Sequence, residues 1–373
     1  KLSGVRIMAY TNIDDPSAHF QTATYTGGGA NTEVTNSGNS DLKPDFLWIK
    51  NRTAGYGHFV VDSNRNISYA QNSSNAPYLE TESTAAENNN QNWMASVNTN
   101  GFTTGISEHI NNNSGSAFVA WQWKCQGGTT ASNTDGSITS TVQANQDAGF
   151  SIVTYTGTGG GETFGHGLGV APDMWIVKRR SGTGSWAVGF NDANILGGTS
   201  KYLILQSTAG TSTYNNFWGT SPASSTVMRI AGDATIGGSG STYVAYCFAE
   251  KQGYSKFGKY VGNGNANGTF VYTGFKPAFV MIKDVSRATN WEMFDHKRNP
   301  SNVANLKLGA NLAVAENGSD LGTTSQNNID MLSNGFKMRT GNTDTNLNGD
   351  TFIYMAFAEN SLVSSSGVPC TAK

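Results

Sequence analysis

The string Asp-x-x-Arg-Asn occurs twice, at Asp62, Arg65 and Asn66 and again at Asp295, Arg298 and Asn299. Carboxylates are the groups that hydrolyse glycosidic bonds, and they work in pairs about 5 to 9.5 Å apart. Asp62 and Asp295 are therefore the first candidates for chemistry, with Glu250 and Glu359, which also recur. Recurrence argues the other way. An active site is normally unique, whereas a residue copied along a chain serves whatever framework is copied with it. The expectation is structural pairing of Asp62 with Arg65 and of Asp295 with Arg298, and no residue is assigned as catalytic. On a surface each pair contributes ~0 to 1 kcal/mol, and more if partly buried.

Other chemistries find less. His19, His58, His109, His166 and His296 show no zinc-helix or zinc-finger spacing, so no metal is expected. The glycines of GTGGGETFGHGLG run into another strand pattern rather than a helix N-terminus, so no phosphate cradle and no cofactor are expected. No Gly-x-Ser-x-Gly elbow is present. The tryptophans leave a choice. Trp48, Trp121, Trp123 and Trp175 lie in apolar strands and read as core. Trp186 and Trp291 lie nearer loops and have two readings, packing against a sheet or contact with a glycan; they are the candidate ligand-binding residues.

These residues sit in a repeated frame. Three copies open with an aromatic strand and a Tyr-x-Gly turn, at Phe20, Phe150 and Phe257. Pro44, Pro172 and Pro277 follow Tyr25, Tyr155 and Tyr260 by 19, 17 and 17 residues and lead the phrases DFLWIK, DMWIVK and AFVMIK. Eight residues past the closing lysines Lys50, Lys178 and Lys283 stand His58, Trp186 and Trp291. FVAWQWK, YVAYCFAE and FIYMAFAE close the copies. Asn-Gly-Phe precedes the closing strand in copies one and three and is lost from copy two. Such self-similarity is the signature of a repeat architecture.

Runs rich in Val, Ile, Tyr, Phe and Trp, cut by Gly, Asn, Ser and Thr, are strands and turns. A proline just ahead of a strand is where its missing N–H does least harm. The proline-led strands are apolar at nearly every position, so both their faces should be covered. The expected fold is all-β: three tandem β-sandwich or jelly-roll-like modules of about 105 residues, packed together, with a pseudo-threefold axis as one arrangement open to them. A β-propeller is the competitor, disfavoured because its blades are only ~40 to 50 residues long. The modules span residues 1–126, 149–251 and 252–373, the last with a C-terminal tail. Residues 127–148 connect the first two, and SITSTVQA within them should add an edge strand.

Bulk properties narrow the partners. Charged residues make up 13 % and the formal charge is −2, so nucleic acid is not expected. No run approaches the ~18 to 20 apolar residues that span a bilayer, so no membrane insertion is expected. Glycine is 45 of 373 residues, and the heavy Asn, Ser and Thr usage predicts many hydrogen-bonding loops of little charge. Cys125, Cys247 and Cys370 are too few and too scattered for a disulfide framework, and Cys247 reads as a small buried hydrophobe. Met8 reads as the natural start, with seven residues ahead of it as an extension.

The strings SNTDGSITSTVQANQDAGFSIVTYTGTG, GHGLGVAPDMWIVKRRS, YVAYCFAEKQGYSKFGKYVGNGNANGTFVYTGFKPAFVMIK and FIYMAFAENSLV resemble a family of repeat-containing structural proteins of marine tailed bacteriophages, associated with the virion or tail fibre. The resemblance runs from about Met8 to the C-terminus. It implies a non-enzymatic virion protein, located in the virion or extracellularly. Its implied partners are copies of itself, other virion proteins and a host-surface glycan. The family carries no accepted catalytic residues to transfer. The alternatives are a polysaccharide-cleaving tailspike and a secreted bacterial adhesin or filament subunit.

Overall fold

The computed structural model describes residues 10–65, 76–89, 93–106, 109–110, 114–321, 326–365, 367 and 369. Met8, Asn66 and Cys370 lie outside them. The fold is nearly all β, with two helical pieces of four residues each, Ala193–Leu196 and Thr343–Asn346, among the described residues. Among the described residues no helix is long and apolar enough to cross a membrane.

One sheet order recurs three times. The opening strand (Phe20–Thr26, Phe150–Thr156, Ser255–Val261) pairs with the closing strand (Ala117–Trp123, Thr242–Phe248, Thr351–Ser361). The closing strand pairs with the proline-led strand (Phe46–Asn51, Met174–Arg179, Phe275–Asp284), and this in turn with a fourth strand (Phe59–Asp62, Trp186–Phe190, Trp291–Asp295). All pairs are antiparallel, and the register is kept: Lys50, Lys178 and Lys283 stand opposite Val119, Val244 and Ile353. Pro44 and Pro172 precede their strands, as expected. Pro277 instead lies inside a longer strand, and the pairing shifts register on both sides of it, because proline cannot donate to the ladder.

A second, smaller sheet covers each main sheet. In the first repeat it is Glu33–Thr35, Gly101–Thr104 and Met94–Asn98; in the third, Phe270–Tyr272, Gly335–Met338 and Ile329–Leu332. The Asn-Gly-Phe motif builds this sheet. Phe102 and Phe336 stand opposite the buried Val34 and Val271, and a Cβ on Gly101 or Gly335 would lie 2.0 Å from the carbonyl oxygen of that valine. In the second repeat, which lacks the motif, the small sheet has two strands, Glu162–Gly165 and Val227–Ile230. The connector adds Ser140–Asn145 and then Ala131–Asn133 to the free edge of Phe150–Thr156, so SITSTVQA supplies a paired strand, but the edge itself is Ala131–Asn133.

The unbroken apolar runs now have a cause. Alternate side chains point to opposite faces of a strand. Leu47 and Ile49, Trp175 and Val177, and Val280 and Ile282 pack into three separate cores, each inside its own repeat. Their neighbours Phe46 and Trp48, Met174 and Ile176, and Phe279 and Met281 all join one cluster that draws on all three repeats. Each main sheet is therefore covered by its own small sheet on one face and by the other repeats on the other. Trp121 and Trp123 lie in the shared cluster, and Cys247 is buried.

Candidate ligand-binding surface

The slot that holds His58, Trp186 and Trp291 closes the three repeats into a ring. Trp186 Nε1 of the second repeat donates to Glu80 O of the first at 2.8 Å, and Trp291 Nε1 of the third donates to Ile204 O of the second at 3.1 Å. His58 Nε2 of the first lies 2.8 Å from Gly309 O of the third. A carbonyl only accepts, so this nitrogen carries the proton. Trp186 and Trp291 are each 1 % exposed. This corrects the glycan reading of the two tryptophans: their faces are consumed by the shared core, and no sugar reaches them. The lysines that end the proline-led strands join in. Lys178 Nζ donates to Thr84 O and Lys283 Nζ to Thr208 O across the same seams, and burial lowers both ammonium pKa values to about 8.

Asp62 and Asp295 sit at the next position of this seam. Arg65 Nε donates to Asp62 Oδ2 at 2.5 Å, and so does the Tyr246 hydroxyl of the second repeat, at 2.6 Å. Arg298 Nε donates to Asp295 Oδ2 at 2.5 Å, and Trp121 Nε1 of the first repeat donates to the same oxygen at 3.1 Å. Glu87 joins Arg65 to Arg180 of the second repeat, and Glu316 joins Arg298 to Arg52 of the first. The expected pairings are present, but as fully buried hubs between repeats. At the remaining seam the positions of the aspartate and of its partner from the next repeat carry Phe190 and Met355, both in the shared cluster, and the arginine position carries the exposed Ala193. Burial pushes the Asp295 carboxyl up, yet the Arg298 charge and its hydrogen bonds prevail and hold it below its usual range.

His58 is a variation with a pH consequence. Trp48 Nε1 donates to His58 Nδ1 at 2.8 Å, so both ring nitrogens are committed in the neutral state. In copies two and three the position of Trp48 carries Ile176 and Met281, which have no N–H to satisfy, and the indoles of Trp186 and Trp291 donate only across the seams. Burial, aided by the Lys50 charge, lowers the His58 pKa to about 3. The unfolded chain thus binds this proton more readily than the folded one, near the ordinary histidine value of ~6.5. His58 keeps its full contribution above that value, and the contribution is lost progressively as pH falls toward 3. Urea titrations at pH 7 and pH 5 should show a decline that is smaller in the double variant Trp48→Ile, His58→Trp.

What is not repeated is more informative about function. In the third repeat Glu292 and Lys307 replace the Phe59 and Tyr78 or Ala187 and Tyr202 of the other two, with Asn327 donating to both Glu292 and Asp344. Burial raises the Glu292 carboxyl, and Lys307 opposes it. Glu292 and Lys307 are wholly buried, so they present nothing to a dissolved substrate. Among the described residues no cluster of three or more His, Cys, Asp or Glu is placed to hold a metal.

The other departure faces outward. Phe270 and Tyr272 flank the buried Val271 on the edge strand of the third repeat's small sheet, and they are 43 % and 50 % exposed. Successive residues alternate faces, so both rings lie on the outer face, roughly 7 Å apart along the strand. The matching edge of the first repeat, with Val34 in the same register, carries Glu33 and Thr35. The rings are therefore no part of the copied frame. Gly335 stands opposite Tyr272, leaving its ring bare on that side, and Lys337 opposite Phe270 donates to Asn267 Oδ1 at 2.6 Å. The Tyr10 hydroxyl lies 3.3 Å from that of Tyr272 and donates to Gly274 O, and burial raises its pKa. Reading by repeats could have found this pair, since Phe-Val-Tyr stands where copy one has Glu-Val-Thr.

A family model described as a domain of unknown function, DUF7483, matches residues 15–361. No curated protein and no solved structure matches the chain.

Proposed function

The chain belongs to the DUF7483 family, and we propose that it acts as a non-enzymatic structural protein of a phage particle, a fibre or surface-decoration subunit that contacts a host-surface glycan. The observation that carries this reading is the exposed pair Phe270 and Tyr272, present in one repeat where the equivalent edge of another holds Glu33 and Thr35. An aromatic face stacks on the C–H side of a sugar ring, while the tyrosine hydroxyls, Lys337 and Asn267 offer hydrogen bonds beside it. The buried ring of three repeats supports the same reading, because it holds the outer loops and edges on a stiff base. The resemblance to tail-fibre-associated proteins supplies the particle.

Binding of the purified chain to an immobilised oligosaccharide array tests this. Binding is expected, and the double variant Phe270→Ala, Tyr272→Ala should lower apparent affinity about tenfold or more. Its urea midpoint should hardly move, since exposed substitutions typically shift stability by within ~0.5 kcal/mol. Undiminished binding by the variant, or release of shorter oligosaccharides by the wild type, would overturn the proposal.

A further inference from the structure

The three seams are alike in plan, so a difference between them isolates a site. At the first-to-second seam, Ser63 and Asn64 follow Asp62 and reach across to the second repeat. Asn64 Nδ2 donates to Ile152 O at 2.7 Å, and Ser63 Oγ to Gln143 Oε1 at 3.0 Å. Gln143 belongs to the connector strand and pairs with Ile152, so the connector plugs this seam. Cys125, at the end of the closing strand, completes it through Phe150 O. At the third-to-first seam the corresponding residues are His296 and Lys297 after Asp295, Glu359 in place of Cys125, and Thr22 in place of Ile152. Among the described residues no strand covers the outer edge of Phe20–Thr26, and a groove of about 330 Å³ lies there.

The groove is lined by groups suited to one kind of ligand. His296 Nδ1 lies 3.1 Å from Ala278 O and must be the protonated nitrogen, which leaves Nε2 as an acceptor. Burial keeps the ring in its neutral form. Thr22 is 3 % exposed, and its buried Oγ1 has no hydrogen-bond partner. Glu359 is already balanced by Lys276 at 2.7 Å. Lys297 donates to Ser37 Oγ at 3.0 Å from the opposite wall and has no carboxylate partner among the described residues, so the groove carries one uncompensated positive charge. Hydroxyl groups, which donate and accept at once, match Thr22, His296 and Glu359. A carboxylate matches Lys297. The volume lies at the small end of the ~300 to 1,000 Å³ usual for small-ligand sites.

We propose that this groove binds a single acidic sugar unit of the uronic acid class, its carboxylate on Lys297 and its hydroxyls on Thr22, His296 and Glu359. The choice of a carbohydrate rests on the proposed function; the position and the preference for an acid rest on the groove. The test is ligand-observed NMR of the intact chain with D-glucuronate, D-galacturonate and D-glucose. At least one uronate should bind, about tenfold or more tighter than glucose. Lys297→Met should abolish that preference, and Thr22→Val should weaken uronate binding, both with an unchanged urea midpoint. Phe270→Ala, Tyr272→Ala should leave uronate binding intact. Equal binding of glucose, no binding of either uronate, or uronate binding indifferent to Lys297→Met would overturn the assignment. Array binding that depends on Phe270 and Tyr272 would still stand in each of those cases, so the two proposals fail separately.

Discussion

Replacing Arg298 by alanine is expected to cost about 3 to 5 kcal/mol of folding stability, the range for removing one partner of a buried ion pair. Three consequences combine. Asp295, wholly enclosed, loses its countercharge; Glu316 keeps only Arg52; and Met293 O loses its donor. The guanidinium also lies 5.7 Å from the centre of the Trp121 ring, so packing between the third and first repeats is lost with the charge. Chemical denaturation of the variant should show the loss. A triple variant Asp295→Phe, Arg298→Ala, Trp121→Met, which copies the buried Phe190 and Met355 and the exposed Ala193 of the uncharged seam, should be less destabilised than Arg298→Ala alone. Apolar residues of similar volume often replace buried ion pairs at little cost.

The second large effect is expected from Trp291→Ala. Truncating a buried aromatic side chain typically costs ~3 to 5 kcal/mol through lost transfer energy and the cavity left behind. Here it also removes the hydrogen bond that ties the third repeat to Ile204 O of the second, leaving that oxygen only Ser207 N–H. Trp186→Ala should behave alike through Glu80 O. If the indoles bound ligand, mutation would weaken binding and spare stability. The buried slot predicts the reverse, a loss of several kcal/mol measurable in urea, with array binding retained by whatever fraction remains folded.

Much of the fold was legible because the repeats carry large apolar residues at fixed spacing. The invariant order of Tyr25, Pro44, Lys50 and Phe118 with their counterparts marks strands that hold one register in every copy. The connector strand was visible as alternation at Ile138 and Val142. The destination of each outer face was not legible. A run such as FVMIK says that both faces are covered, but periodicity cannot tell a second sheet from a second repeat. Hence Trp186 and Trp291, read as bordering loops, proved to be the residues that tie each repeat to the one before it. The same ignorance hid the hubs at Asp62 and Asp295, whose pairing was expected without its partners Tyr246 and Trp121. Phe270 and Tyr272 escaped notice because an alternating strand with two aromatics looks ordinary; only the equivalent Glu33 and Thr35 show that the frame does not require them.

The central claim is that the three repeats share one core and so stand or fall together. Native-state hydrogen exchange on the intact chain reads this most directly, through the amides of Ala117–Trp123, Thr242–Phe248 and Thr351–Ser361. A shared core predicts that the slowest amides of all three strands exchange with the same opening free energy and that Arg298→Ala lowers all three equally. Distinct opening free energies, with Arg298→Ala affecting only Thr351–Ser361, would mean three independent sandwiches and would contradict the account.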